Sequence, residues 1–285
     1  MKNYLLFFLA FYSPIIFGQV ELFENPLISN DEAFGIAISP KGDDLLYVNS
    51  FGGRDTLRIY HSKKINGKWQ KPEPSFFSND RINQIDPSYS PDGENILINA
   101  YVSDAKQYDV YLLSKTFEGW SLPELLSDAI NTEAHEFYAT MALSESIYFT
   151  RRNESNDIYV SYWQDGKYQK AVPLKGNINT ENSESNPYIS PKEDYLIFIS
   201  TRDGGYGNAD LYISFNKNNS WSTPINLGEN INTKDSEFCP SRDYSNNRFF
   251  FARTIIKEEK RIENIFSVPM ESLRINELRQ QAKWD

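Results

Sequence analysis

The chain has 285 residues, with 29 Lys and Arg against 39 Asp and Glu, two His and one Cys, for a formal net charge of −10. That balance disfavours nucleic acid and anionic lipid, whose phosphates call for Lys and Arg. His61 and His135 are too few for a multi-His metal site, and the lone Cys239 excludes an internal disulfide.

The first predicted element is an export signal. Lys2 gives a positive start, Tyr4 to Phe17 is an apolar stretch too short to span a bilayer with margin, and Pro14 and Gly18 suit a cleavage near Gly18/Gln19. No Cys follows the stretch, which argues against a lipoprotein anchor. Removal of this segment leaves about 266 residues; the loss of Lys2 leaves 28 basic against 39 acidic side chains, a charge of −11. No later segment is apolar enough to cross a membrane. The expectation is an exported protein of the periplasm, the cell surface or the medium.

From there the chain repeats. AFGIAISPKGDDLLYVN begins at Ala33, DPSYSPDGENILINA at Asp86 and ESNPYISPKEDYLIFIS at Glu184, with weaker copies at Glu136 and Glu237. The matching positions Ser39, Ser90, Ala142, Ser190 and Asp243 lie 51, 52, 48 and 53 residues apart, a period that fits one four-stranded propeller blade. In each unit an apolar first strand meets an S-P-D-G-like turn, whose Pro and Gly supply the turn dihedrals. An apolar second strand follows. The third carries D-x-Y at Asp109/Tyr111, Asp157/Tyr159 and Asp210/Tyr212, diverged to Arg58/Tyr60 and Asn264/Phe266. The fourth is expected near Trp69, Trp120, Tyr168 and Trp221. An Ile-Asn-Thr element at Ile130, Ile178 and Ile231, with Ile82-Asn83-Gln84 as a variant, leads to an acid that opens the next unit. Tyr of D-x-Y and the Trp series read as packing between blades, and Cys239 as a small buried hydrophobe on a strand.

The S-P-D-G turn, the segment GGYGNADLY and the segment WSTPINLGENINT resemble the WD40-like β-propeller repeat of the TolB-like superfamily, over nearly all of the chain after the signal. The resemblance implies an all-β propeller and says little about function. Some such repeats are joined to a peptidase or to an OmpA-type peptidoglycan-binding domain; no G-x-S-x-G nucleophile elbow occurs here, so those roles do not carry over.

Five units imply five blades across residues 20–270, with six as the alternative. The last unit, Glu237 to Val268, lacks a Trp-bearing fourth strand, and Val20-Glu21-Leu22-Phe23 is placed to supply it and close the ring. Residues 271–285 read as a helical tail outside the ring.

In a meander the links between blades and the loops from second to third strand share one face, where a binding site is expected. Glu32, Asp86, Glu136, Glu184 and Glu237 are read as equivalent acids near the central opening, with Arg54, Arg151, Arg152, Arg202 and Arg253 beside them and Tyr206 on the long loop of the fourth unit. A residue that recurs in every blade serves the blade before it serves a ligand. Asp203, Asn208 and Asp210 supply oxygens suited to calcium, at a spacing unlike the EF-hand loop, and no metal or cofactor is otherwise implied. The expected function is non-catalytic: a monomeric exported binding or scaffold module for a protein or glycan. The alternative is a glycosidase with two funnel carboxylates in distinct environments.

Overall fold

In a computed structural model the chain is described at residues 18–23, 28–78, 81–102, 104 and 106–284; of the predicted signal segment, residues 1–19, all but the last two lie outside them. Five antiparallel four-stranded sheets form a ring, a five-bladed β-propeller. The first blade runs outward through Ala33–Ile38, Asp44–Phe51 and Thr56–Ile65 to Glu73–Pro74. Its successors start from the innermost strands Gln84–Tyr89, His135–Met141 and Glu184–Ile189. The inner strands are buried on both faces and rich in Ile, Val, Phe and Tyr, as a strand between two neighbours demands.

The fourth strand differs in form from the expectation. In the first blade the Trp-bearing segment Lys68–Trp69 is a short hairpin on the end of the third strand. The outermost strand proper is the two-residue piece Glu73–Pro74, which pairs further along at Tyr60 and His61. Pro and Glu there keep the sheet edge short and polar, so it does not recruit another chain.

The fifth blade is assembled from both ends of the described chain. Ser236–Asp243, Arg248–Lys257 and Lys260–Pro269 supply three strands. Glu21–Leu22 supplies the fourth, pairing Glu21 with Ser267 and Leu22 with Phe266. Phe23 continues the seam: its N–H donates to the Ile265 carbonyl and its ring meets Phe250 edge-on at 5.5 Å. After Pro269 a 3₁₀ turn, Met270–Leu273, leads into a short helix, Ile275–Gln281. Met270, Leu273, Leu278 and Trp284 pack on the cluster around Phe215 and Phe249, and Arg279 pairs with Asp194 at 2.7 Å, so the tail braces the fourth and fifth blades.

The Ile-Asn-Thr element has a defined job. Asn131 accepts the Val110 N–H at 2.8 Å and donates to the Val110 carbonyl at 3.0 Å. Asn179 does the same to Ile158 and Asn232 to Leu211. Each amide thus mimics one residue of a fourth strand and satisfies backbone groups beyond the short outer piece. In the first blade Asn83 accepts from the Leu57 N–H at 2.9 Å.

Candidate functional site

Every innermost strand breaks register once, between positions 34/37, 85/88, 137/140, 185/188 and 238/241. Each break is a β-bulge, and each holds one residue at positive φ: Gly35 (59°), Asp86 (54°), Tyr138 (50°), Asn186 (51°) and Cys239 (53°). These five are the true repeat equivalents around the axis.

This corrects the alignment of the acids. Counted by strand register, the position of Glu136, opposite Arg151, and of Glu237, opposite Arg253, is taken in the second blade by Gln84, opposite Ala100, and in the first by Ala33. Asp86 stands two residues further in, on the bulge. Glu32 lies one residue before the repeat position, half-buried, bridged to Glu263 of the fifth blade.

Glu136, Glu184 and Glu237 are fully buried in one repeated cassette. Glu237 accepts from the Thr233 N–H (3.0 Å), the Thr233 hydroxyl (2.7 Å) and Arg253 Nε (2.6 Å). Glu136 uses Thr132 and Arg151 in the same way. Glu184 uses Thr180 and the Ser200 hydroxyl, with Arg202 at 3.4 Å. The arginines then lie on the D-x-Y ring of their own blade: Arg151 on Tyr159 at 4.5 Å, Arg202 on Tyr212 at 5.1 Å and Arg253 on Phe266 at 4.6 Å. Those rings stack on Phe149, Phe198 and Phe251 within the blade, so the D-x-Y aromatic belongs first to its own sheet. Carboxylate, guanidinium and ring engage one another, and none of them lines the central cavity.

Tyr206 is exposed on its loop, and its N–H donates to Asp210. Asp210 also takes the Gly207 N–H and the Asn226 amide, so its oxygens are already engaged, while Asp203 and Asn208 are exposed. None of these residues lines the central cavity.

What remains is a funnel of about 280 Å³ on the loop face of the axis. Phe34, Phe137 and Phe238 form its walls and Asp86, Asn186 and Cys239 its floor, with Arg54, Arg152 and His135 also lining it. Gly35 completes the ring without a side chain, and Asp86 and Cys239 meet over it at 4.0 Å. Below, Tyr138 crosses the axis from the third blade, its hydroxyl donating to the Pro240 carbonyl of the fifth at 2.9 Å. The opening is therefore a funnel with a closed floor.

Asp86 is 5 % exposed. Burial pushes its carboxyl up to about 7, against the opposing pull of Arg54 and the Tyr138 backbone amide. Burial also raises the Cys239 thiol, with Asp86 adding to it, so the thiol stays protonated and unreactive. His135 accepts the Tyr108 N–H on Nδ1 at 3.3 Å, which places its own proton on Nε2. Burial and then Arg152 lower its pKa. Arg54 spans the seam to Glu263 at 2.7 Å and rests on Phe34 at 4.6 Å. Arg152 lies over Phe137 at 5.4 Å and donates from Nε to Asn156. Asp86, Arg54 and Arg152 had been singled out from the sequence. The others had not: His135 and Asn186 repeat no motif, and Phe34, Phe137 and Phe238, which recur just before the bulge in three units, carry no sequence sign that they face the axis rather than the core.

No family model matches the chain, and no curated protein matches it. Solved structures do. TolB from Agrobacterium tumefaciens is 19 % identical over 78 % of this chain and 69 % of its own, with a TM-score of 0.52. An α-L-arabinofuranosidase from Lactobacillus brevis is 13 % identical over 85 % and 92 %, with a TM-score of 0.54. A GH43_12 protein from a capybara gut metagenome is 14 % identical over 90 % of this chain, which spans about half (54 %) of its length, with a TM-score of 0.55. At these identities the likeness is one of fold: the chain is a β-propeller of the type found in TolB.

Proposed function

We propose that this protein is an exported, non-catalytic binding propeller that takes its partner, a protein or a glycan, at the funnel mouth. The observation that carries this reading is the funnel lining. It offers aromatic walls, arginines and a polar floor, yet among the described residues it holds one carboxylate, Asp86. Glycoside hydrolysis by the usual route needs two, about 5–9.5 Å apart. The repeated glutamates do not supply the second, because each is locked to a threonine and an arginine.

One observation favours the hydrolase reading. Asp86 breaks the repeat, and a buried carboxyl that titrates near 7 suits a general acid. A single screen separates the two. The purified protein, offered plant, algal and microbial polysaccharides, is expected to show no turnover. It should be retained on members of a glycan and peptide panel, with hydrogen-exchange protection in peptides covering Phe34, Asp86 and Cys239. Turnover abolished by Asp86→Asn, at a melting temperature no lower than that of the wild type, would establish the enzyme instead.

A further inference from the structure

From the groups that face the funnel we infer that its ligand is a compact organic anion: a carboxylate or phosphate on a small ring or apolar body, held by Arg152 and His135 at the wall and hydrogen-bonded at the floor by Asp86 and Asn186. This rests on the reading of the funnel as the binding site and adds the chemistry of what fills it.

Three observations lead there. The first is unspent donors. Arg152 commits Nε to Asn156 and has no carboxylate partner among the described residues, so both of its terminal nitrogens remain available. It is the register partner of His135 across the two strands, and His135 presents Nε2–H once Nδ1 has accepted from Tyr108. A guanidinium beside an imidazole N–H is a site for a planar or tetrahedral oxyanion. The second is the contrast with the rest of the molecule. Arg151, Arg202 and Arg253, on the same face, are each neutralised by a buried glutamate, as is Arg54 by Glu263. Of the two arginines that line the funnel, Arg54 is paired with Glu263 and Arg152 has no carboxylate partner among the described residues.

The third is the floor. Asn186 is 6 % exposed, and its side-chain amide has no hydrogen-bond partner among the described residues. Asp86, equally buried, faces the thiol of Cys239 at 4.0 Å, a weak contact. Both side chains line the funnel, so their polar atoms are open to a partner that enters it. Hydroxyl or amide groups at the far end of a ligand would pair with them, while Phe34, Phe137 and Phe238 take its faces. A cavity of about 280 Å³ is at the small end for ligand pockets, which sets the size at one ring.

The test is a set of matched pairs followed by calorimetry: D-galacturonate against D-galactose, galactose 1-phosphate against galactose, and phenylacetate against phenylacetamide, with inorganic phosphate alone as a control. At least one anion should bind at least about tenfold tighter than its neutral twin, the worth of one charge-assisted hydrogen bond. The preferred pair tells carboxylate from phosphate. The preference should shrink with added salt and fall to within about twofold in Arg152→Gln. That side chain is exposed, so the variant should keep the wild-type melting temperature. Equal binding of charged and neutral twins, with exchange protection at Asp86, overturns the anion and leaves the funnel as the binding site. Absence of binding in every arm overturns both. An anion preference that survives Arg152→Gln also overturns the inference.

Discussion

Asp86 sits where a carboxylate is least comfortable. It occupies a left-handed bulge position, 5 % exposed, with a thiol for its nearest side-chain partner. Such a group costs stability whenever it is ionised, and the sign follows from linkage. Below about pH 4 it is protonated in both the folded and the unfolded chain and contributes nothing. Between about 4 and 7 the unfolded chain releases its proton first, so stability falls as pH rises, then levels above the folded value of about 7. At 1.36 kcal/mol per pKa unit the cost reaches about 4 kcal/mol at pH 8. Asp86→Asn removes it. Asn tolerates the left-handed conformation, and the fourth blade already carries Asn186 there. The variant should therefore match the wild type in denaturant melts near pH 4 and exceed it increasingly towards pH 8. Because His135 titrates in both proteins, the difference isolates Asp86. Equal stabilities at pH 8 would mean that the carboxylate is solvated or paired after all. If the variant is indeed the more stable, keeping Asp at this position has to be explained by what it does for a ligand.

At the scale of elements, closure rests on little chain. Glu21–Leu22 makes two register pairs with the fifth blade, Phe23 adds one backbone bond and an edge-on ring contact, and Glu21 reaches Arg248 at 2.7 Å. Removing residues 18–23 strips these and bares the long strand Lys260–Pro269 as an edge. The expected result is a loss of several kcal/mol, comparable to a large core truncation, together with self-association in gel filtration. An unchanged melting temperature and a monomeric profile would show that the strand is ornamental. This element was legible in advance, since a unit without its fourth strand and a spare strand at the other end can only be partners. The repeat, the blade number and the inner three strands were equally plain, because hydrophobic alternation and Pro-Gly turns recur at one period. The bulge was not. Its residue is Gly, Asp, Tyr, Asn or Cys, with no shared side-chain chemistry, because what repeats there is a backbone conformation. Alignment on the first acid of each unit therefore slid Asp86 onto the glutamates, whereas counting back from the Ser-Pro turn would have placed Gln84 there. The split fourth strand was hidden for a related reason: the Trp is the conspicuous residue, yet the outer pairing is made by two inconspicuous ones and completed by an asparagine side chain.

Across the whole molecule the blades are unequal, and the inequality follows the funnel. Blades three, four and five each hold a buried Glu–Arg–aromatic cassette, and the C-terminal helix adds contacts to the last two. Blades one and two have Ala33 and Gln84 in place of the glutamate. They contribute instead the residues that mark the funnel as special: Gly35, Arg54, Asp86 and Tyr108. Repeat stability is roughly a sum of units and of interfaces between neighbours, so a ring built in this way should open locally at its less reinforced side first. Native-state hydrogen exchange is expected to show earlier loss of protection in the strands Asp44–Phe51 and Asn95–Val102 than in Tyr195–Ser200 and Arg248–Lys257, with the Ile147–Arg152 strand between them. Uniform protection across all five second strands would mean that the cassettes add no local stability and that the ring opens as one unit. A ligand held by Arg152 and His135 and seated on Phe34, Asp86 and Asn186 would bridge blades one to four. It should raise protection most in the first two, where the free protein has most to gain. The same measurement that ranks the blades in the free protein thus reports, once a ligand is added, whether binding at the funnel reinforces the irregular half of the ring.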